Sequence, residues 1–186
     1  PAAVVFDLLT GSATAYPDAA AGRHACVDAE PGSPCGNGRF GAGTGATVGK
    51  LQGPQLAAPG GIGTASQRLP GGGVVGALVV VNAFGNVVAE DGSLLAGVDG
   101  PPLPPPMGGN TTLAVVATDV GLSRTQAYRL AVVAHDGFAQ AIRPVHTSFD
   151  GDTIFTVSTG SAEEEPLLLE MAAVEVVARA IRSAVS

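Results

Sequence analysis

Residues 108–119, GGNTTLAVVATD, place two threonines between a glycine pair and an apolar run that is typical of a buried strand. If the bond between Asn110 and Thr111 is cut, Thr111 becomes a chain terminus with both a hydroxyl and a free α-amine. The pKa of an α-amine is about 8, so a useful fraction is unprotonated at neutral pH and can accept the hydroxyl proton. The pattern predicts an N-terminal threonine nucleophile. Two β-branched residues that merely open a strand are the simpler interpretation of this stretch taken alone.

Two carboxylates are candidates for the same site. Asp150 and Asp152 flank Gly151, and in an extended segment residues two apart point to the same face. Such a pair can orient the amine and the hydroxyl of Thr111, or share a proton. An Asp-Gly turn with solvated charges is the alternative interpretation.

An amine and an amide complete the set of candidate residues. Lys50 is the only lysine in the chain and stands in a glycine-rich, strand-like stretch. Near the two carboxylates it is expected to lower their pKa values. Asn82 follows the apolar run 74–81, where a buried amide without partners costs about 1 to 3 kcal/mol. Its NH₂ group can donate to a developing oxyanion, which makes it the candidate oxyanion contact.

Three other patterns resemble cofactor sites without meeting their requirements. Residues 36–41, GNGRFG, fit G-x-G-x-x-G, but no strand leads into them and the next residues cannot open a stable helix. Residues 43–51, GTGATVGKL, resemble a phosphate loop, but the spacing between the glycines is one residue too short. The Ser or Thr that would bind magnesium after Lys50 is also missing. The histidines share no metal-ligand spacing: His24, His135 and His146. We therefore predict no cofactor and no metal.

The composition is that of one folded domain. The 186 residues are 46% hydrophobic and carry a net charge of -7, which argues against nucleic acid as a partner. No apolar run is long enough to cross a membrane and no targeting segment is visible, so no membrane partner is expected. Cys26 and Cys35 fit no zinc spacing, and free thiols are preferred over one disulfide, which indicates a cytoplasmic protein.

Hydrophobic patterning and capping residues predict the secondary structure. A capping box of Ser123 and Gln126 opens one helix, and three glutamates with Pro166 open another. The expected strands are 2–9, 74–81, 113–118 and 152–158, the helices are 17–29, 123–142 and 163–183, and the exposed loop is 97–110. Apolar strands that alternate with helices indicate sheets covered by helices.

Three segments together resemble the DmpA family of self-processing N-terminal-nucleophile aminopeptidases and amidases. They are GAGTGATVGK at 41–50, GGNTTLAVVATD at 108–119 and HDGFAQAIRPVHTSFDGDTIFTVSTG at 135–160. The similarity covers nearly the whole chain. Within the family, the sequence most resembles the branch of nylon-oligomer hydrolases. The D-aminopeptidase branch has Ser and Glu at the positions of Asp150 and Asp152, and family members often carry a Tyr near Phe6.

The resemblance implies an α/β fold, an αββα four-layer sandwich with two sheets between helix layers. It implies that residues 1–186 form a single catalytic domain and that a further N-terminal portion precedes them in the full protein. Self-cleavage would make residues 1–110 the end of an α-subunit and residues 111–186 the β-subunit.

The resemblance also implies an activity and a set of roles. The activity is hydrolysis of amide bonds in small peptides or linear amide oligomers, by a homo-oligomer that is a tetramer or larger. The implied site has these members: Thr111 as the nucleophile released after Asn110, Asp150 and Asp152 as its acidic partners, Lys50 as a catalytic-site amine, and Asn82 as the oxyanion contact.

Two other functions agree with the same residues. An N-acyltransferase similar to ornithine acetyltransferase also uses an internally released threonine, and it passes the acyl group to an amine instead of water. A non-catalytic binding or assembly domain would leave the chain uncut. Intact-mass measurement and assays of acetyl transfer against amide hydrolysis separate these functions.

Overall fold

The computed structural model describes residues 2–8, 10–30, 32, 35–101, 103 and 109–186. The helices are α1 (Ala19–Asp28), α2 (Arg124–Ala141) and α3 (Pro166–Ser183). The strands are β1 (Thr47–Val48), β2 (Ala58–Pro59), β3 (Gly61–Arg68), β4 (Val74–Val81), β5 (Asn86–Val88), β6 (Leu94–Ala96), β7 (Leu113–Val120), β8 (Ile142–Arg143) and β9 (Thr153–Ala162).

The main sheet has four strands in the order β3-β4-β7-β9. Its first three strands are antiparallel neighbours, whereas β7 and β9 run parallel. Parallel neighbours need a crossover connection, which α2 supplies between these two strands. The strands predicted over 74–81, 113–118 and 152–158 are confirmed, and β7 and β9 continue beyond their predicted ends.

The two long helices begin at residues that suit a helix N-terminus. Gln126 Oε1 accepts the N–H of Ser123 at 2.9 Å and Ser123 Oγ accepts the N–H of Gln126 at 3.3 Å, so the predicted capping box is present. The helix α3 begins at Pro166, three residues later than predicted, because Glu165 takes the N-cap position and proline suits the first turn.

The main hydrophobic core lies between the four-stranded sheet and the two long helices. Alternate residues of the strands point to each face, and those that meet the helices are buried with helix residues: Val75, Val79, Val116, Leu130, Phe138, Val176 and Val177. On the other face, Leu78, Val115 and Val157 are 37%, 36% and 42% exposed. The described residues thus form the main sheet and one helix layer of the expected sandwich, and the second face of this sheet exposes several apolar side chains.

Two small sheets lie beside the main one. β6, β5 and β8 form a three-stranded sheet, and β1 pairs with β2. Because β8 follows α2 directly, the first of these sheets fixes the start of the loop 144–152 that leads into β9. In the two-stranded sheet, β1 ends two residues before Lys50.

The strand predicted over residues 2–9 is wrong, since residues 2–8 form no strand and residue 9 lies outside the described residues. Val5 packs on a small cluster that contains Ile62 and Val80, and Phe6 presents its carbonyl to the side chain of Asn82. An apolar run predicts a strand only where a neighbouring strand offers backbone partners. That partner depends on tertiary structure.

The remaining predictions concern the periphery of the fold. The first helix is confirmed within two residues at its start, with Asp18 as its N-cap. Cys26 and Cys35 are free and exposed, as preferred from the sequence. The loop predicted over 97–110 is irregular where it is described, and residues 102 and 104–108 of it lie outside the described residues. In the described part of the chain, no helix combines the length and apolarity needed to cross a bilayer.

Candidate active site

The C-terminal end of β4 lies beside the N-terminal ends of β7 and β9. Antiparallel pairing sets Val80 of β4 opposite Leu113 at the start of β7. Parallel pairing sets Leu113 opposite Thr153 at the start of β9, and an isolated bridge joins Asn110 to Asp150. This register brings together three segments that are distant in the sequence: residue 82, residues 110–112 and residues 150–152.

The carbonyl oxygen of Asn110 accepts two hydrogen bonds in the uncut chain. The hydroxyl of Thr111 donates one at 2.7 Å, and the backbone N–H of Gly151 donates the other at 2.9 Å. The N–H of Thr111 donates to the backbone carbonyl of Asn82 at 2.8 Å. The candidate nucleophile and a second donor therefore both contact the carbonyl of the bond that the sequence predicts to be cut.

Asn82 is 1% exposed, and both atoms of its amide are engaged. Its Nδ2 donates to the carbonyls of Phe6 and Gly109, each at 3.1 Å. Its Oδ1 accepts the N–H of Thr47 at 3.1 Å and the Lys50 ammonium at 2.8 Å. The predicted oxyanion contact therefore holds Gly109 in the uncut chain, while the Asn110 carbonyl is bound by Gly151.

Lys50 lies at the predicted site but not in a strand. Gly49, with φ of 69°, turns the chain out of β1, and Lys50 begins a short 3₁₀ helix. Burial lowers the pKa of Lys50 from 10.5 to about 8, and the negative charge of Asp150 partly opposes this shift. The amine contacts the Asn82 side chain and, at 3.4 Å, the carbonyl of Gly109.

Asp152 contacts both the segment that precedes β7 and the loop that precedes β9. Its Oδ1 accepts the N–H of Thr112 at 2.9 Å, and its Oδ2 lies 2.8 Å from Nδ1 of His146. Burial raises the pKa of this carboxyl, and Asp150 adds to the rise, against the opposing effect of its hydrogen bonds. The expectation that Lys50 lowers both carboxyl pKa values is wrong for Asp152, because the cost of burial exceeds the attraction of nearby donors and positive charge.

Asp150 connects its loop to the segment after β4. Its Oδ1 accepts the N–H of Phe84 at 3.1 Å. Its Oδ2 accepts the N–H of Thr147 at 3.1 Å and the Thr147 hydroxyl at 2.6 Å. The alternative of a turn with solvated charges does not describe this pair, since Asp150 is fully engaged and the Asp152 side chain is 4% exposed.

All six residues predicted from the sequence lie together, and two that were not predicted join them. Gly151 supplies a backbone donor, and only its position between two aspartates drew attention to it in the sequence. His146 was interpreted as an ordinary histidine, and it contacts Asp152. His135 lies beside it, with ring centroids 4.9 Å apart, whereas His24 lies on the exposed helix α1.

Solved structures of two aminopeptidases share this fold. The β-aminopeptidase of a Burkholderia species superimposes with a TM-score of 0.67 at 26% identity, over 91% of this chain and 51% of that one. The L-aminopeptidase D-Ala-esterase/amidase of Ochrobactrum anthropi gives 0.60 at 27% identity, over 82% and 45%, and is described as a variant of the Ntn hydrolase fold. The predicted α/β fold class is confirmed, and the fold is that of the N-terminal-nucleophile (Ntn) hydrolases.

The chain belongs to peptidase family S58, whose profile matches residues 2–186. It is 40% identical over 187 residues to a Mycobacterium leprae protein named as an uncharacterized aminopeptidase, over 88% of this chain and 50% of the relative. It is 34% identical over 176 residues to the 6-aminohexanoate-oligomer endohydrolase of Paenarthrobacter ureafaciens, over 84% and 49%. The chain thus spans about half the length of the curated relatives it matches.

Proposed function

We propose that this chain is the core of a self-processing Ntn hydrolase that cuts its own Asn110–Thr111 bond and then hydrolyses amide bonds. The observation that carries the proposal is the double contact on the Asn110 carbonyl oxygen, from the Thr111 hydroxyl and the Gly151 N–H. A nucleophile beside a carbonyl whose oxygen is already bound by a backbone donor is suited to acyl transfer.

Self-cleavage begins with attack by Thr111 Oγ1 on the carbonyl carbon of Asn110. A C–O bond forms, the C–N bond breaks, and the nitrogen takes up the proton that the hydroxyl gives away. Negative charge builds on the carbonyl oxygen during attack, where the N–H of Gly151 at 2.9 Å stabilises it. Water then hydrolyses the ester to an Asn110 carboxylate and a Thr111 that carries a free hydroxyl and a free α-amine.

The released terminus then acts on substrate. The α-amine of Thr111 accepts the hydroxyl proton, and the oxygen attacks the carbonyl carbon of the substrate amide. A C–O ester bond forms, the C–N bond breaks, and the leaving amine takes up the proton from the α-ammonium. Water then hydrolyses the ester, which releases the acyl group as a carboxylate and restores the Thr111 hydroxyl. Once Gly109 moves away, Nδ2 of Asn82 loses one of its two acceptors, which leaves it able to donate to the substrate oxyanion. Asp152 keeps the Thr112 amide in place beside the nucleophile.

The names of the relatives support a proposed substrate class. Several are named as aminopeptidases and others as 6-aminohexanoate-oligomer endohydrolases, so we propose small peptides or linear amide oligomers as substrates. Assembly into a homo-oligomer, a tetramer or larger, and a cytoplasmic location remain predictions.

The test is intact-mass spectrometry of the purified protein with variants at Thr111. Wild type should give a fragment that begins TTLAVV, Thr111→Ser should give the corresponding fragment, and Thr111→Ala should stay uncut, because only Ala removes the nucleophilic oxygen. Thr112→Val is the matched control, since it changes the neighbouring hydroxyl and keeps the backbone amide. Cleavage in Thr111→Ala at the wild-type rate would overturn the proposal. Acyl transfer to an amine with no hydrolysis would reassign the enzyme to the acyltransferases.

A further inference from the structure

Among the described residues, His146 contacts the candidate site through Asp152. Its ring Nδ1 lies 2.8 Å from Asp152 Oδ2, and its backbone N–H points to the same oxygen at 3.4 Å. Because an ionised carboxylate can only accept a hydrogen bond, Nδ1 is the donor in this contact when Asp152 is charged. We propose that His146 is a positioning residue, which holds Asp152 so that this carboxylate fixes the Thr112 amide beside the nucleophile. The inference rests on the proposed function.

The two oxygens of Asp152 divide their contacts between two parts of the chain. Oδ1 accepts the N–H of Thr112 on β7, and Oδ2 faces His146 in the loop after β8. With its side chain 4% exposed, this carboxylate has little access to water that could replace a lost donor. Removing the His146 side chain would leave this oxygen only the long contact to the His146 backbone N–H. The carboxylate could then turn, and the Thr112 amide would lose a fixed acceptor.

The imidazole of His146 is itself held in one orientation. The residue has φ of 53°, in the left-handed region that few residues other than Gly, Asn and Asp adopt readily. Its ring stacks on Phe138 of α2 at a centroid distance of 5.7 Å, and the edge of His135 meets it at 4.9 Å. A solvated loop histidine needs neither a positive φ nor ring contacts with α2. His146 has both.

The charges around Asp152 give the contact a measurable pH signature. Asp150 raises the pKa of Asp152, whereas the charge and the hydrogen bond of His146 lower it. Lys50 interacts electrostatically with Asp150, and His135 interacts with His146, Asp152 and Asp136. Loss of His146 removes an effect that favours the charged carboxylate. The acid limb of the rate profile should therefore move to higher pH.

The experiment follows self-cleavage of the full-length protein after cell-free synthesis, by intact mass across a pH series. We use His146→Asn, which tolerates positive φ and places an amide donor near the position of Nδ1. We compare it with His146→Asp, which tolerates the same backbone and has no donor when ionised, and with His146→Gly, which relaxes the backbone and lacks the side chain. We expect cleavage at least about tenfold slower in the Asp and Gly variants and within about threefold of wild type in the Asn variant. The acid limb should shift upward only where the donor is lost.

Two further variants distinguish failure of the role of His146 from failure of the proposed function. His135→Phe keeps an aromatic edge against His146 and should leave the pH profile unchanged; a shift equal to that of His146→Gly would assign the effect to His135 and overturn the proposal. Thr111→Ala tests the proposed function itself. If Thr111→Ala is inert while folded His146→Asp cleaves with the wild-type rate and profile, the role of His146 falls and the proposed function stands.

Discussion

The backbone N–H of Gly151 lies 2.9 Å from the carbonyl oxygen of Asn110, and a Cβ at Gly151 would lie 2.9 Å from the hydroxyl oxygen of Thr111. Because Gly151 has no side chain, the Thr111 hydroxyl and the Gly151 N–H can both approach the carbonyl oxygen of Asn110. The parallel pairing of β7 with β9 creates this proximity, because it sets residues 110 and 150 side by side.

Gly151→Ala should slow self-cleavage by about a hundredfold, in the range reported for loss of an oxyanion donor. The added methyl is too close to the Thr111 hydroxyl, so either the hydroxyl turns away from Asn110 or the two strand ends separate. The rate of fragment formation by intact mass measures the effect. Gly76→Ala is the matched control, because a Cβ there meets its nearest atoms at 3.5 Å and should leave the rate unchanged. Equal rates for the two variants would remove Gly151 from the mechanism.

Lys50 should give the stability of the protein a distinct dependence on pH. Its pKa is about 8 in the folded chain against an ordinary value of 10.5, so the unfolded chain binds the proton more tightly between these values. The free energy of unfolding should therefore rise with pH across this window, by up to about 3 kcal/mol relative to a variant without the titration. Below pH 8 both states are protonated, and the cost of burying the charge is present in full.

Urea unfolding of wild type, Lys50→Met and Lys50→Arg at several pH values measures this rise. Met carries no charge and Arg keeps its charge throughout the window, so neither variant should show it. Parallel pH curves for all three proteins would mean that Lys50 does not titrate in this range.

Thr112→Val should stabilise the protein by about 1 kcal/mol and leave self-cleavage intact. Thr112 is fully buried, and among the described residues its hydroxyl has no hydrogen-bond partner, so a methyl of the same shape removes a desolvation cost. Thr118→Val is the contrast on the same strand, because Thr118 Oγ1 donates to the Val74 carbonyl at 2.7 Å and accepts the N–H of Val120 at 3.1 Å. That variant should lose about 1 to 3 kcal/mol. Urea unfolding decides, and a destabilised Thr112→Val would indicate an unseen partner for its hydroxyl.

Elements with local causes could be predicted from the sequence. The capping box of Ser123 and the proline at the first position of α3 are local signals, and both helices follow them. The apolar run 74–81 became a central strand, where pairing on both sides makes its composition sufficient. The run 2–9 has similar composition without a partner strand, and its prediction failed. Burial of a strand depends on what lies beside it.

The candidate site divides in the same way. The sequence by itself supplied the candidate residues: a threonine after Asn110, two aspartates, one lysine and one amide at the end of an apolar run. Only the tertiary structure decided that Gly151 faces the Asn110 carbonyl, that Asn82 holds Gly109, and that His146 reaches Asp152. These contacts follow from strand register and from the loop after β8. Residues that are distant in the chain meet only when the sheet is formed, and no local pattern records which backbone groups then face each other.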